Sequence, residues 1–186
     1  MTPLSGPREV QFERLYALAR DPLARYLARR VSADAVEDLF AEVMTVAWRR
    51  LEDVPADGEL PWLFGVGRRV LANHRRAQSR FGRLLERLTL MAPRIDPGQP
   101  DIAGGDPDLD RAMARLSASD AEVLRMWAWE ELAPAEIAVT LGITPNAASI
   151  RLHRAKARLR GLLDAEPRKI TPFAGHQPGV ERKETR

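Results

Sequence analysis

An all-α fold in two small helical units is the architecture this sequence predicts, and three observations carry it. Apolar residues recur at three- and four-residue spacing through most of 8–90 and again through 108–165. No stretch alternates with the period of two that a half-buried strand requires. Between the units, 91–107 is crowded with Pro and Gly and has no apolar period, which is the composition of a flexible linker. The expected organisation is a domain over 8–90, a linker over 91–107, a second domain over 108–165 and a polar, Pro- and Gly-broken tail over 166–186 that is expected to be disordered.

The elements follow in order. A helix is expected from Arg8 to Arg20, with Val10, Leu15, Leu18 and Ala19 facing inward. Asp21-Pro22 starts a second, Pro22 to Arg30, with Leu23, Tyr26 and Leu27 inward. Ser32 caps a third whose first turn carries Asp34, Glu37 and Asp38, as the helix dipole prefers; it runs to about Leu51. Residues 52–61 read as a loop from their Pro, Asp and Gly. A helix then spans Trp62 to Arg80 and on towards Leu90. In the second unit, Pro107 or Asp108 opens a helix through Leu116, and Ser117 or Ser119 caps another that runs to about Glu130.

The most informative stretch is 132–163. Two short helices meet at Leu141-Gly142-Ile143, where Gly142 can take positive φ. Thr144 is a good N-cap, and Pro145 falls at the first helical position, where a missing N–H costs nothing. Ala148, Leu152, Ala155 and Leu159 form one apolar stripe on the second helix. Asn146, Ser149, Ile150, His153, Arg154 and Lys156 lie elsewhere. From Thr144 to Leu163 there are five bases (Arg151, Arg154, Lys156, Arg158, Arg160) and no acid. A helix buried on one side, basic on the other and presented after a tight turn is what a helix-turn-helix lays into a major groove. A solvated basic helix in a bundle is the bland alternative.

Composition narrows the function classes. The chain of 186 residues has no cysteine, which excludes disulfides and thiol-ligated zinc. No apolar run approaches a membrane span, and the N-terminus lacks the pattern of a signal peptide, so a cytoplasmic protein with no membrane insertion is expected. His74, His153 and His176 are scattered, with no triad, metal-ligand or phosphate-loop pattern around them. No enzymatic activity, metal or cofactor is expected. The formal charge is only +3, but it is unevenly distributed. Residues 31–61 hold eight acids and two bases; 62–88 hold seven Arg and one Glu; 95–122 hold seven acids and two Arg. Two acidic blocks alternate with two basic helical ones, suggesting two DNA-facing surfaces on one chain.

Two further segments carry candidate chemistry. Val36 to Trp48 puts Val36, Leu39, Phe40, Val43 and Ala47 on a buried side, with Glu37, Asp38 and Glu42 off it. Those acids are either a solvated face or a docking surface for a basic helix. Trp62 to Arg80 carries an apolar stripe of Leu63, Val66, Val70 and Leu71, surrounded by Arg68, Arg69, Asn73, His74, Arg75 and Arg76. Bases and aromatics beside a loop can hold unstacked single-stranded bases. Trp62 is either part of such a platform or a core residue, and one indole can serve both.

The order of these parts resembles an extracytoplasmic-function sigma factor, the minimal two-domain class of bacterial RNA polymerase sigma factors. EDLFAEV followed by Trp48, a loop and WLFGVGRRVLANHRR resemble sigma region 2 over 12–80. LSASDAEVLRMWAWEELAPAEIAVTLGITPNAASIRLHRAKARL resembles region 4 within 107–163. The resemblance implies that Asp38, Leu39 and Glu42 contact the β′ clamp helices of core polymerase. It implies that the 52–61 loop, with Trp62, Arg68, Arg69, Asn73, His74, Arg75 and Arg76, holds a melted −10 element. It implies that Asn146, Ser149, Ile150, Arg151, His153, Arg154, Lys156 and Arg158 read or anchor the −35 element. Implied partners are core polymerase (the clamp helices and the β flap), promoter DNA and an anti-sigma factor. Two positions depart from the family pattern. Ala41 stands where Gln is common, removing a side-chain contact, and Arg69 stands where Asn is common, favouring a phosphate contact over a base edge. The rival classes are a helix-turn-helix regulator acting without polymerase and a mimic that sequesters an anti-sigma factor. The first would need a dimerisation or ligand domain upstream; the second would not need both basic faces.

Overall fold

The structure, a computed structural model, describes the backbone of residues 6–88 and 106–165 and the side chains of 6–81 and 106–165. Among the described residues there are seven α-helices and one short 3-10 turn, and no strand. The linker and tail, except for 106 and 107, lie outside them.

The first helix, α1 (Pro7–Ala28), corrects the expected break at Asp21-Pro22, for Pro22 lies inside one continuous helix. A proline in a helix interior costs about 3 kcal/mol through its lost hydrogen bond and ring clash. Here the buried stripe Leu15, Ala19, Leu23, Tyr26 and Leu27 runs straight past it. Each fully buried large side chain contributes roughly 1.5–3 kcal/mol, enough together to hold the helix past the proline. Val10 and Leu18, expected inward, are instead 55% and 39% exposed. Leu18 is one position, about 100°, off the stripe that Ala19 occupies.

Ser32 stands at the N-cap of α2 (Ala33–Arg49), but its hydroxyl accepts no backbone N–H. It bonds to the Asp34 carboxylate instead, and that bond holds Asp34 below the usual carboxylate range. Leu39, Val43, Met44 and Ala47 form the buried face. The chain tightens into a 3-10 turn at Leu51–Asp53, and α3 (Glu59–Leu88) begins inside the segment expected as loop. Glu52 in this turn lies 3.9 Å from Arg8 of α1, while Asp53 pairs with Arg50. Arg14 pairs with Glu59, and Arg8 lies over the Trp48 ring and donates to the Trp48 carbonyl at 2.8 Å. Phe12 meets Trp48 edge-on at 5.1 Å, and Tyr16 meets Phe40 edge-on at 5.5 Å.

In the second unit α4 (Pro107–Ala114) is capped by Asp106, which accepts from Asp108 N–H at 2.9 Å. Of the two candidate caps for α5 (Ala118–Ala128), Ser117 is used; its Oγ accepts from Asp120 N–H at 3.1 Å. Then come α6 (Pro134–Leu141) and α7 (Pro145–Ala165).

The two units are docked on each other. One continuous cluster of buried side chains runs from Leu15 to Ala155, and α3 packs against α6. The sequence carries no visible signal for this interface, because the residues that make it are isolated polar or small ones on helices that already have a buried stripe.

Candidate nucleic-acid interface

The turn between α6 and α7 folds as its residues dictate. Gly142 takes φ 66° and ψ 39°, and its N–H and that of Ile143 close back on the carbonyls of Val139 and Ala138. This satisfies the last carbonyls of α6 and turns the chain sharply. Thr144 Oγ1 then accepts from Ala147 N–H at 3.2 Å, and Pro145 opens α7. Gly142→Ala forces a Cβ into the left-handed region and is expected to lower stability by about 1 kcal/mol, read as a fall in the urea midpoint at unchanged m-value.

Ala148, Leu152 and Ala155 of α7 are buried. The alanines let the neighbouring helices approach closely, and Leu159 is packed against the same core. Asn146, Ser149, Ile150, Arg151, His153 and Arg154 are all exposed. Ser149 Oγ donates to the Pro145 carbonyl at 3.0 Å, keeping its lone pairs outward. Two bases of the helix are engaged within the unit. Lys156 Nζ sits 3.4 Å from the Trp127 ring centroid, and Arg158 pairs with Asp120, which is 7% exposed. Sequence reasoning missed the roles of Trp127 and Asp120, since an acid on one helix and a base 38 residues on give no periodic signal.

On α3, Arg68, Arg69, Asn73, Arg75 and Arg76 are exposed, and Arg76 donates to Asn73 Oδ1 at 2.5 Å. His74 is half-buried, and its Nε2 has no partner among the described residues. Trp62 is half-buried against the core, with the Arg50 guanidinium 5.9 Å from its ring centroid. On α2, Asp38 and Glu42 are exposed while Leu39 is 4% exposed. The Leu39 side chain packs into the core between α2 and its neighbours, while the two acids beside it face outward.

The basic faces of α3 and of the second unit line a shared cleft of about 1010 Å³, with Arg68, Arg69, Arg75 and Arg76 on one wall and Arg125 and Arg151 on the other. Burial pushes the Arg125 guanidinium below its ordinary value, and Arg30 and Arg75 add to this while Glu122 and Glu130 oppose it. Arg30, which also lines the cleft, is 6% exposed and donates to both carboxylate oxygens of Glu130 at 3.0 and 3.3 Å. Its guanidinium also lies 3.4 Å from Glu122 and 3.7 Å from the Tyr26 ring centroid. Burial works against the Arg30 charge, but Tyr26, Glu122 and Glu130 outweigh it and raise its pKa. Burial likewise raises that of the Tyr26 hydroxyl. No group of three or more His, Cys, Asp or Glu gathers to hold a metal among the described residues, and no helix there is long and apolar enough to cross a membrane.

A compact all-helical chain that presents a basic recognition helix after a glycine turn defines a DNA-binding protein of the helix-turn-helix class. Comparison with known proteins goes further. Residues 107–159 match the Sigma-70, region 4 family. RNA polymerase sigma factor CnrH of Cupriavidus metallidurans is 28% identical over 152 residues, covering 72% of this chain and 76% of the relative. RNA polymerase sigma factor NccH of Alcaligenes xylosoxydans xylosoxydans is 25% identical over 142 residues, covering 70% and 74%. Two solved structures share the fold. CnrH in complex with the cytosolic domain of CnrY has a TM-score of 0.55 at 23% identity, covering 84% of this chain and 89% of that one. The sigma factor RpoE in complex with the anti-sigma factor NepR from Bartonella quintana has a TM-score of 0.58 at 21% identity, covering 84% and 98%. Residues 107–159 thus match sigma region 4, and over about 70% of its length the chain is similar to RNA polymerase sigma factors.

Proposed function

We propose that this chain brings core RNA polymerase to promoters by dividing the work between its two units, 8–90 and 108–165. Asp38 and Glu42 on α2 dock on the clamp helices. Trp62, Arg68, Arg69, Asn73, His74, Arg75 and Arg76 on α3 hold the melted −10 strand, with Arg69 on phosphate. Asn146, Ser149, Ile150 and His153 on α7 read base edges of the −35 element, and Arg151 and Arg154 take phosphate or guanine beside them. The chain does no covalent chemistry, acts in the cytoplasm where polymerase and DNA are, and is held in check by an anti-sigma protein, as the solved complexes of similar factors with CnrY and NepR suggest.

The observation that carries this reading is the geometry of α7. Its buried stripe fixes its rotation, and the residues able to pair with bases are the exposed ones of its N-terminal half, where a recognition helix meets base edges. Lys156 and Arg158 stand apart, since both already have partners within their unit. They anchor the helix and reach phosphate only at the rim.

The test is transcription in vitro with core polymerase from a library of −35 sequences. His153→Ala or Ser149→Ala is expected to relax preference at one or two positions, at about 1–3 kcal/mol per lost contact. Lys156→Ala is expected to lower output on all sequences alike. The free protein is expected to bind duplex DNA weakly, because few phosphates are neutralised by so small a basic face, and that binding is expected to fall as salt rises. Tight, salt-resistant, sequence-specific binding without polymerase would favour a plain regulator. A uniform loss on His153→Ala would mean that α7 docks in another rotation.

A further inference from the structure

We propose that the cleft between α3 and the wall formed by α5 and α7 binds a nucleoside polyphosphate, its phosphate chain held by the facing arginines and its base laid against Trp127. The walls stand at a set separation. Arg30 is paired with Glu130, and Thr140 Oγ1 donates to the Pro61 carbonyl at 2.9 Å. There α6 crosses Gly65, where an added Cβ would come within 3.1 Å of the Thr140 carbonyl. The cleft measures about 1010 Å³, near the upper end of the roughly 300–1000 Å³ that small-molecule sites enclose.

Charge selects the ligand. Eight arginines line the cleft against two acids, Asp110 and Glu122. Arg29 and Arg30 are met by Glu130, and Arg30 also by Glu122. The other six are Arg68, Arg69, Arg75 and Arg76 from α3, Arg125 from α5 and Arg151 from α7. None of these has an ion pair among the described residues. Arg75 is close enough to act on Arg125 across the cleft. Burial, with Arg30 and Arg75 acting in the same sense, holds Arg125 below its ordinary value against the pull of Glu122 and Glu130. Guanidinium forks match phosphate oxygens two at a time, so cations on two facing walls call for an anion with several phosphates rather than one carboxylate.

The rest of the lining selects a flat apolar group at the other end of that anion. Leu109, Met113 and Leu124 lie in the same cleft as Trp127. Lys156 Nζ is 3.4 Å from the Trp127 ring centroid, yet the residue is still 45% exposed, and an indole open to a cleft offers a base a stacking surface. Trp129 is already taken, with the Arg29 and Arg125 guanidinia 5.5 and 5.7 Å from its ring centroid. An inorganic polyphosphate would satisfy the arginines but leave the apolar surface wet, so the base is what separates the two ligands. One consequence rests on the promoter roles given above: Arg68, Arg69, Arg75 and Arg76 are the cations assigned to the melted −10 strand, so nucleotide and strand exclude each other.

Calorimetric titration of the full chain with ATP, GTP, inorganic triphosphate and adenosine, in magnesium-free buffer, tests the site. Each nucleotide is expected to bind once per chain and about ten-fold tighter than inorganic triphosphate, with no measurable binding of adenosine. Arg125→Gln and Arg151→Gln, at wild-type helical circular dichroism, are each expected to weaken nucleotide binding about ten-fold. Trp127→Leu is expected to weaken it by about the same factor and to leave triphosphate binding unchanged. Arg160→Gln removes the same charge from an exposed position of α7 outside the cleft and is expected to change affinity by less than about two-fold. Absence of saturable nucleotide binding, triphosphate bound as tightly as ATP, or Arg160→Gln as damaging as Arg125→Gln overturns the proposal. Transcription with core polymerase keeps the two readings apart. Nucleotide binding by a chain that fails to initiate sinks the sigma reading and leaves this site standing, whereas a blank titration of a chain that initiates sinks this site alone.

Discussion

Reversing Asp38 and Glu42 together to arginine is expected to abolish co-purification with core polymerase while barely changing the melting of the free protein. Both carboxylates are exposed on α2 and lie off the stripe of Leu39, Val43, Met44 and Ala47 that holds the helix in place. Neither has an ion pair recorded among the described residues, and isolated exposed charges contribute about 0–1 kcal/mol to stability. At an interface the sign matters far more, since like charges set against each other cost several kcal/mol. A loss of about 3 kcal/mol would weaken the complex by more than 100-fold. Binding competition against the wild type for limiting core enzyme measures this directly. A double variant that still competes as well as the wild type would reduce these acids to solvated surface. A double variant that melts early would show that they hold α2 in place. Leu39→Ala is the contrasting case. Its side chain is buried, so it should lower stability first and core binding only as a consequence.

Much of this molecule is legible in the residues because its helices obey local rules. The turn at Gly142, the cap at Thr144, the proline at 145 and the stripe of Ala148, Leu152 and Ala155 each follow from the chemistry of one or two side chains and their spacing. The structure realises all of them. Local rules fail where a tertiary contact outweighs them. Pro22 reads as a helix start, yet five buried side chains carry α1 through it. Ser32 reads as a capping side chain, yet Asp34 two residues on takes its hydroxyl. Leu39 has the right place in the motif for a partner contact, but its position on the apolar stripe sends it into the core. Among the candidate residues of α7, partners within the unit set Lys156 and Arg158 apart, and those partners, Trp127 and Asp120, come from α5, far off in sequence. The docking of the two units was the least legible feature. It depends on single residues (Arg30, Gly65, Glu130, Thr140) whose meaning exists only once two helical units are brought together.

Leu152→Ala should produce the largest loss of stability in the second unit and, through it, the loss of −35 binding. Leu152 is 5% exposed and lies between Ala148 and Ala155, both fully buried. Truncating a buried leucine costs about 2–5 kcal/mol, and the spread reflects how well the surroundings can collapse into the gap. Here the flanking positions on α7 are already alanines, with no side chain long enough to reach the cavity. The α5 and α6 faces opposite are held by Val123, Leu124, Met126 and Ile137, all buried. The cost should therefore fall in the upper part of that range, which is comparable to the whole stability of a helical unit this small. Urea unfolding should show the change as a lower midpoint, and binding to a −35 duplex should disappear together with the α4–α7 signal. Ile150 supplies the control on the same helix. It is 44% exposed, so Ile150→Ala should shift stability by no more than about 0.5 kcal/mol while changing which −35 sequences are preferred. If Leu152→Ala costs less than about 1 kcal/mol, or if Ile150→Ala destabilises as much as it does, then α7 is rotated relative to the arrangement described, and the division between its buried stripe and its reading face must be redrawn.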